Sequence, residues 1–320
     1  MKKTLGKEVK GRLKSYIVDN PIGSTVMFII LTWMLVAKVW NEYQLEYGDI
    51  RISSTLENLS RLDQTETNRG LTNAYHYAVL SADVYTKRNP DSWEKTCDRD
   101  AIYQQWQILS LPVTIPNKPA DKSGDQVMLD SELVYQVWWR NVDSAQYDIE
   151  VALVFAGTDG LGDIWSNLFW VTQYWPWGWN QYDLARTLGP EIKEYADQFF
   201  PGKNVKVITA GHSLGGGLAH QAAYATEGID TVYAFDSSSV TGFYSVEKKI
   251  RDKNKVGMRI FRIHERGEIL GYLRSFMALF YPVVEKDPQI IEAAVNFDSG
   301  TGLSEHSIEN LACALVKNGV

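Results

Sequence analysis

Two hydrophobic patterns alternate along most of this chain. Short runs rich in β-branched and aromatic residues are separated by longer stretches with apolar positions three and four apart, the mark of strands alternating with helices. Leu133–Trp139 and Ile149–Phe155 are such runs on either side of a polar turn over 141–146, and they predict a hairpin. Gln181–Phe199 predicts a helix with Leu184, Leu188, Ile192 and Tyr195 on its inner face. The runs beginning at Val205, at Thr231 (to Phe235) and at Met258 (to Ile263) read as further strands. Leu71–Tyr85, Val246–Asp252 and Ile308–Val316 read as further helices. Residues 112–125 hold Pro112, Pro116, Pro119 and Gly124 among polar residues and read as a surface loop. This order predicts an α/β fold, with a mainly parallel sheet flanked by helices on both faces.

The N-terminus follows a different pattern. Pro21–Ala37 carries no charge, and at 1.5 Å per residue it spans about 26 Å, the short end of a bilayer crossing. Trp33, Trp40, Tyr43 and Tyr47 lie where an aromatic belt would sit, and Lys38 can snorkel to the headgroups. Lys2, Lys3, Lys7, Lys10, Arg12 and Lys14 precede the stretch, while Glu42, Glu46 and Asp49 follow it. The positive-inside rule then places the N-terminus in the cytoplasm and the large domain on the far side, whether periplasmic, extracellular or lumenal. The expected division is a basic tail over 1–20, a transmembrane anchor over 21–40, a helical connector over 41–70 and the α/β domain over 71–320. A cleaved signal peptide and a buried or amphipathic helix are the alternatives for the apolar stretch.

The candidate chemistry centres on Gly211-His212-Ser213-Leu214-Gly215. It follows a buried strand and opens a helix of small residues (Leu218, Ala219, Ala222, Ala223), as G-x-S-x-G does in a nucleophile elbow. Ser213 is the candidate nucleophile. In such elbows the acid and then the histidine follow in the chain. Of the later histidines, His220 sits two turns into the elbow helix and His264 leaves little room for an acid before it. His306, in a loop just before the last helix, is the candidate base. Glu268, after the strand Met258–Ile263, is the candidate acid, with Asp236 and Glu265 as alternatives. The oxyanion donors expected are the N–H of Leu214 and the N–H and hydroxyl of Thr158, in the turn after Phe155.

The chain has 320 residues and a net charge of −7, which argues against a nucleic-acid partner. Two cysteines, Cys97 and Cys313, are too few for a thiolate metal site. They read as two buried thiols, or else as one bridge outside the cytosol. The histidines show no metal-ligand spacing and there is no Walker-type glycine loop, so neither a metal nor a cofactor is expected.

Three segments together resemble the class 3 lipases, the fungal lipase-like α/β-hydrolases. They are Val154-Phe155-Ala156-Gly157-Thr158 with Asp163–Leu168, Thr209–Gly216, and His264–Leu270. The resemblance covers roughly residues 70–310. It implies a serine nucleophile at Ser213, an acid at Glu268, a histidine at His306 and oxyanion donors at Thr158 and Leu214. Two positions depart from the family pattern: Ala156 stands where an arginine is usual, and Glu268 where aspartate is usual. The tryptophan-rich stretch over 165–179 lies about where the family carries a lid. Trp165, Phe169, Trp170 and Trp175 are the candidate lid or acyl-binding residues, and filling the core is their alternative role. The expected activity is a membrane-anchored lipase or phospholipase A cleaving carboxyl esters, with lipid as substrate and the bilayer as partner. The alternatives are acyl transfer to another alcohol, or a non-catalytic lipid-binding protein on the same fold.

Overall fold

The computed structural model describes residues 50–54, 70–85, 99–111, 127–128, 133–157, 181–268, 270, 287–297 and 306–318, together with 25, 29, 30, 32, 33 and 36. Within these, a nine-stranded sheet runs in the order β1-β9-β8-β7-β6-β5-β4-β2, with β3 paired to β4 off this path. In chain order the elements are β1 (Ile50–Ser54), α1 (Ala74–Asp83), α2 (Asp100–Tyr103), β2 (Gln107–Ile108), β3 (Val127–Met128), β4 (Val134–Asn141) and β5 (Ile149–Phe155). There follow α3 (Gln181–Phe199), β6 (Val205–His212), α4 (Leu214–Ala225), β7 (Ile229–Phe235), α5 (Lys248–Asn254), β8 (Arg259–Glu265), β9 (Gln289–Val295) and α6 (Ile308–Asn318). Strands β5 to β9 are parallel, and antiparallel strands close both sides: β4 against β5 and β1 against β9.

The expected α/β class and its parallel sheet thus hold. Every residue of β5 is buried, because helices cover it on both sides. One face packs against α1 and α6, through Leu80, Ala78, Leu311 and Leu315 onto Val154, Ile208 and Phe235. The other packs against α3 and α4, through Leu188, Ile192, Leu218 and Ala222 onto Leu153, Val207 and Val232. Glu150 is the charged exception within β5. It accepts Tyr77 Oη–H at 2.8 Å and pairs with Arg140 at 2.9 Å, so its charge is buried with partners.

Three expectations change. Ile50–Ser54 falls within the expected helical connector over 41–70, yet it is a strand in register with β9. Its Ile50 and Ile52 alternate with Arg51 and Ser53, a period of two rather than 3.6. On α3 the deeply buried set is Tyr182, Ala185, Leu188, Gly189, Ile192 and Ala196. Leu184 and Tyr195 are only half-buried, so the inner face is rotated toward the small residues that let α3 approach α4. Finally, Cys313 is disulfide-bonded, which corrects the reading of two buried thiols. The other cysteine of the chain, Cys97, lies outside the described residues.

The expected anchor over 21–40 also lies largely outside them. Its described positions, 25, 29, 30, 32, 33 and 36, are helical. No helix among the described residues is long and apolar enough to cross a membrane.

Candidate active site

The parallel strands deliver their loops to one edge of the sheet, the side where α/β proteins place their chemistry. β6 ends at His212 and α4 begins at Leu214, so a single residue, Ser213, makes the whole turn. Its φ of 56° and ψ of −123° lie where a side chain is strained. Its backbone is held there by three bonds: its N–H to Phe235 O at 3.0 Å, and its carbonyl from Gly216 N–H at 3.1 Å and Ser238 N–H at 3.0 Å. The two motif glycines are required by close approach. A Cβ on Gly211 would lie 2.3 Å from Gly215 O, and one on Gly215 would lie 2.2 Å from Phe155 O.

The structure brings Ser213, His306 and Glu268 together from three separate parts of the chain. His306 Nε2 lies 3.0 Å from Ser213 Oγ. His306 Nδ1 lies 3.1 Å from Glu268 Oε2. All three side chains are buried. Glu268 is itself fixed, because the same Oε2 accepts Leu270 N–H at 2.7 Å. A hydroxyl, an imidazole and a carboxylate in that sequence can move a proton off the hydroxyl and stabilise the resulting imidazolium. The N–H of Leu214 opens α4, where the first amides have no partner within the helix.

The alternative acids are engaged by other partners. Glu265 Oε1 accepts Phe297 N–H at 2.8 Å and ties β8 to the end of β9. Asp236 is fully buried at a positive φ of 39°, and its Oδ1 accepts Glu265 N–H at 3.0 Å. It stays near the site: donor atoms of His212, Asp236 and His306 lie within 4.8 Å of one another. That is the one group of described residues with a cation-holding arrangement. Both His306 nitrogens are already committed to Ser213 and Glu268, so a cation there would compete with the serine for its base. His220 points away, its Nδ1–H donating to Gly216 O at 2.6 Å. Thr158 and the aromatic residues Trp165, Phe169, Trp170 and Trp175 lie outside the described residues.

One neighbour of the site has no signal in the sequence. Tyr85, just past the end of α1, accepts Gly157 N–H and lies 3.3 Å from His212 Nδ1. The His212 ring in turn sits 4.7 Å from that of His306. Tyr85 thus joins the end of β5 to the elbow, a link made by tertiary packing 72 residues apart that no local pattern announces. Replacing Tyr85 with Phe strands two buried polar groups, at about 1–3 kcal/mol each. The expected result is a kcat lowered about 10- to 100-fold with KM little changed, because the site shifts without losing a substrate contact. Steady-state kinetics on a short-chain ester checks this; an unchanged kcat would contradict it.

Three histidines are buried in neutral form. Burial, and then the charge of Arg140, lowers His76 to about 3. Burial, and then Arg262, lowers His220 to about 3. Burial, and then the charge of His306, holds His212 well below its ordinary value. Each binds its proton in the unfolded chain near pH 6.5 but resists it when folded. Their stabilising effect is therefore complete above that pH and is lost as the pH falls below it, toward 3 for His76 and His220. Each adds at most about 1.4 kcal/mol of lost stability per pH unit. Urea melts between pH 7 and 4.5 should show a steep decline, and His220→Gln should make it shallower.

No curated protein matches the chain. A family model does, described as phospholipase-like, Tle-like phospholipase domain, over residues 76–243. The match takes in most of α1, the hairpin β4–β5, the elbow and Asp236, while Glu268 and His306 lie beyond it. With more than half of its length matched, this chain belongs to the Tle-like phospholipase domain family.

Proposed function

We propose that the chain is a serine hydrolase that cleaves carboxyl esters of membrane lipids, phospholipids first among them. The observation that carries this is the unbroken line from Ser213 Oγ to His306 Nε2 at 3.0 Å, and from His306 Nδ1 to Glu268 Oε2 at 3.1 Å. The family match supplies the lipid class. The motifs around Gly157, Ser213 and Glu268 further align it with the class 3 lipases, whose action on carboxyl esters fits this site.

In this reading Ser213 Oγ attacks the acyl carbonyl carbon as its proton passes to His306 Nε2. The carbonyl oxygen becomes an oxyanion, met by the N–H of Leu214 and, from the β5 loop, by Thr158. Glu268 keeps the imidazole in the tautomer whose Nε2 is free to accept, and stabilises the imidazolium. His306 then protonates the departing alcohol oxygen of the lysolipid, leaving an acyl-Ser213 ester. Water, deprotonated by His306, attacks that ester and releases the fatty acid. The aromatic stretch over 165–179 serves as lid or acyl wall.

We place the domain outside the cytosol, held by the apolar segment over 21–40. The charge asymmetry around that segment supports this, and so does the disulfide at Cys313, since such bonds persist in oxidising compartments.

The testing experiment is active-site labelling. A fluorophosphonate should react at Ser213, located by peptide mass spectrometry, and should stop fatty-acid release from phospholipid vesicles in parallel. Failure to label the folded protein would overturn the hydrolase reading in favour of a binding protein.

A further inference from the structure

The register of the sheet border fixes where the N-terminal arm meets the domain. Ile50 is paired with Val295, and Val295 with Glu265. Glu265 is the last residue of β8, at the edge of the sheet where the chain turns toward Glu268. Because β1 runs antiparallel to β9, the chain upstream of Ile50 leaves from this same edge. That is the edge where β6 delivers Ser213. In the strand order β1-β9-β8-β7-β6 the two lie four spacings apart, about 19 Å at ~4.8 Å per strand.

The length of the arm then limits how the domain can face a bilayer. Between the uncharged stretch ending at Ala37 and Ile50 lie residues 38–49. Twelve residues span at most roughly 40 Å when fully extended. A domain of about 270 residues has a radius of gyration of roughly 18 Å, equivalent to a sphere about 48 Å across. An arm that leaves from the site edge cannot pass around the domain and still reach a bilayer on its far side. Short of being drawn out fully along the flank of the domain, it holds the site edge toward the membrane. The upstream segment is suited to lipid: its described positions are helical, with Ile29 and Val36 more than half exposed and Trp33 at 36%.

We propose that this chain hydrolyses lipids of the very bilayer that holds its N-terminal segment, in the leaflet on the domain's side, with the carboxyl edge of its sheet turned to that surface. The inference rests on the hydrolase and anchor readings above. It adds which membrane is the substrate: the host bilayer, rather than a facing one or a dispersed ester. Tethering within reach of a surface raises the effective lipid concentration by about 10²- to 10⁴-fold without any new contact.

The test reconstitutes the full chain, domain outward, in phosphatidylethanolamine–phosphatidylglycerol vesicles. Quenched fluorogenic phospholipid is placed either in these host vesicles or in an equal amount of protein-free vesicles mixed with them. Release from the hosts should exceed release from the second population by about 100-fold or more. Insertion of thirty Gly/Ser residues between Tyr47 and Gly48 should shrink that ratio several-fold by freeing the orientation. Equal release from the two populations, or a ratio indifferent to the insertion, overturns the proposal. Two controls separate it from its foundations. Hydrolysis of p-nitrophenyl butyrate in detergent, abolished by Ser213→Ala, tests the hydrolase reading, and flotation with the vesicles tests the anchor. Failure of either control overturns the proposal together with that foundation, whereas passing both with equal release overturns the proposal alone.

Discussion

Ser213→Ala should lower lipid-ester turnover by about 10⁴- to 10⁶-fold while leaving the fold intact. The size of the effect follows from the arrangement of the site. The hydroxyl is the only atom changed, and it stands 3.0 Å from the nitrogen that would take its proton. Without it no acyl-enzyme forms, and the remaining oxyanion donors can assist only a slow attack by water. Stability should change little, within about 1 kcal/mol. The strained turn is held by backbone bonds to Phe235, Gly216 and Ser238 and by the glycines on either side, none of which needs the hydroxyl. Fatty-acid release from vesicles of phospholipid and of acylglycerol, wild type beside variant, measures the loss and identifies the lipid class. A variant that keeps its rate with normal melting would show that Ser213 is not the nucleophile.

The elbow was legible in the sequence because its constraints are local. A sharp strand-to-helix turn needs Gly211 and Gly215 at fixed offsets from Ser213, so the spelling and the geometry are the same fact. The hairpin and α3 were legible for a similar reason, since hydrophobic period identifies an element whose faces differ. β9 carries no distinctive signal in the sequence. Gln289-Ile-Ile-Glu-Ala-Ala-Val carries alanines and a glutamate that suit a helix equally well, and only pairing with β8 and β1 on both sides makes it a strand. β1 is hidden in turn, because only its pairing with β9 makes it a strand. The histidine and acid are legible only through chain order and the resemblance to class 3 lipases. Their meeting at Ser213 comes from the parallel crossovers and from α6 docking beside α1, which are long-range events. Tyr85 had no signal of any kind, as its role exists only once α1 lies beside the end of β5.

Glu268→Gln should cost about 10³- to 10⁴-fold in turnover, and Asp236→Asn less than about 10-fold. Both carboxylates are buried near the histidines, so proximity does not decide between them. Hydrogen bonding does. Glu268 Oε2 faces His306 Nδ1 directly, with the Leu270 N–H holding it in place. An amide there can present its NH₂ to the ring, which forces Nδ1 to accept and moves the ring proton to Nε2. A ring protonated at Nε2 cannot take the proton of Ser213, so the loss falls on kcat rather than on KM. Asp236 instead spends Oδ1 on the Glu265 N–H, a bond that the amide oxygen of asparagine can keep. Its substitution should therefore alter the electrostatics around His212 and His306 without breaking the line of proton transfer. The two variants, compared by kcat on one short-chain ester across pH 6 to 9, separate these roles. If Asp236→Asn were the more damaging of the two, the carboxylate after β7 would be the acid, and Glu268 would serve only to hold the loop that ends β8.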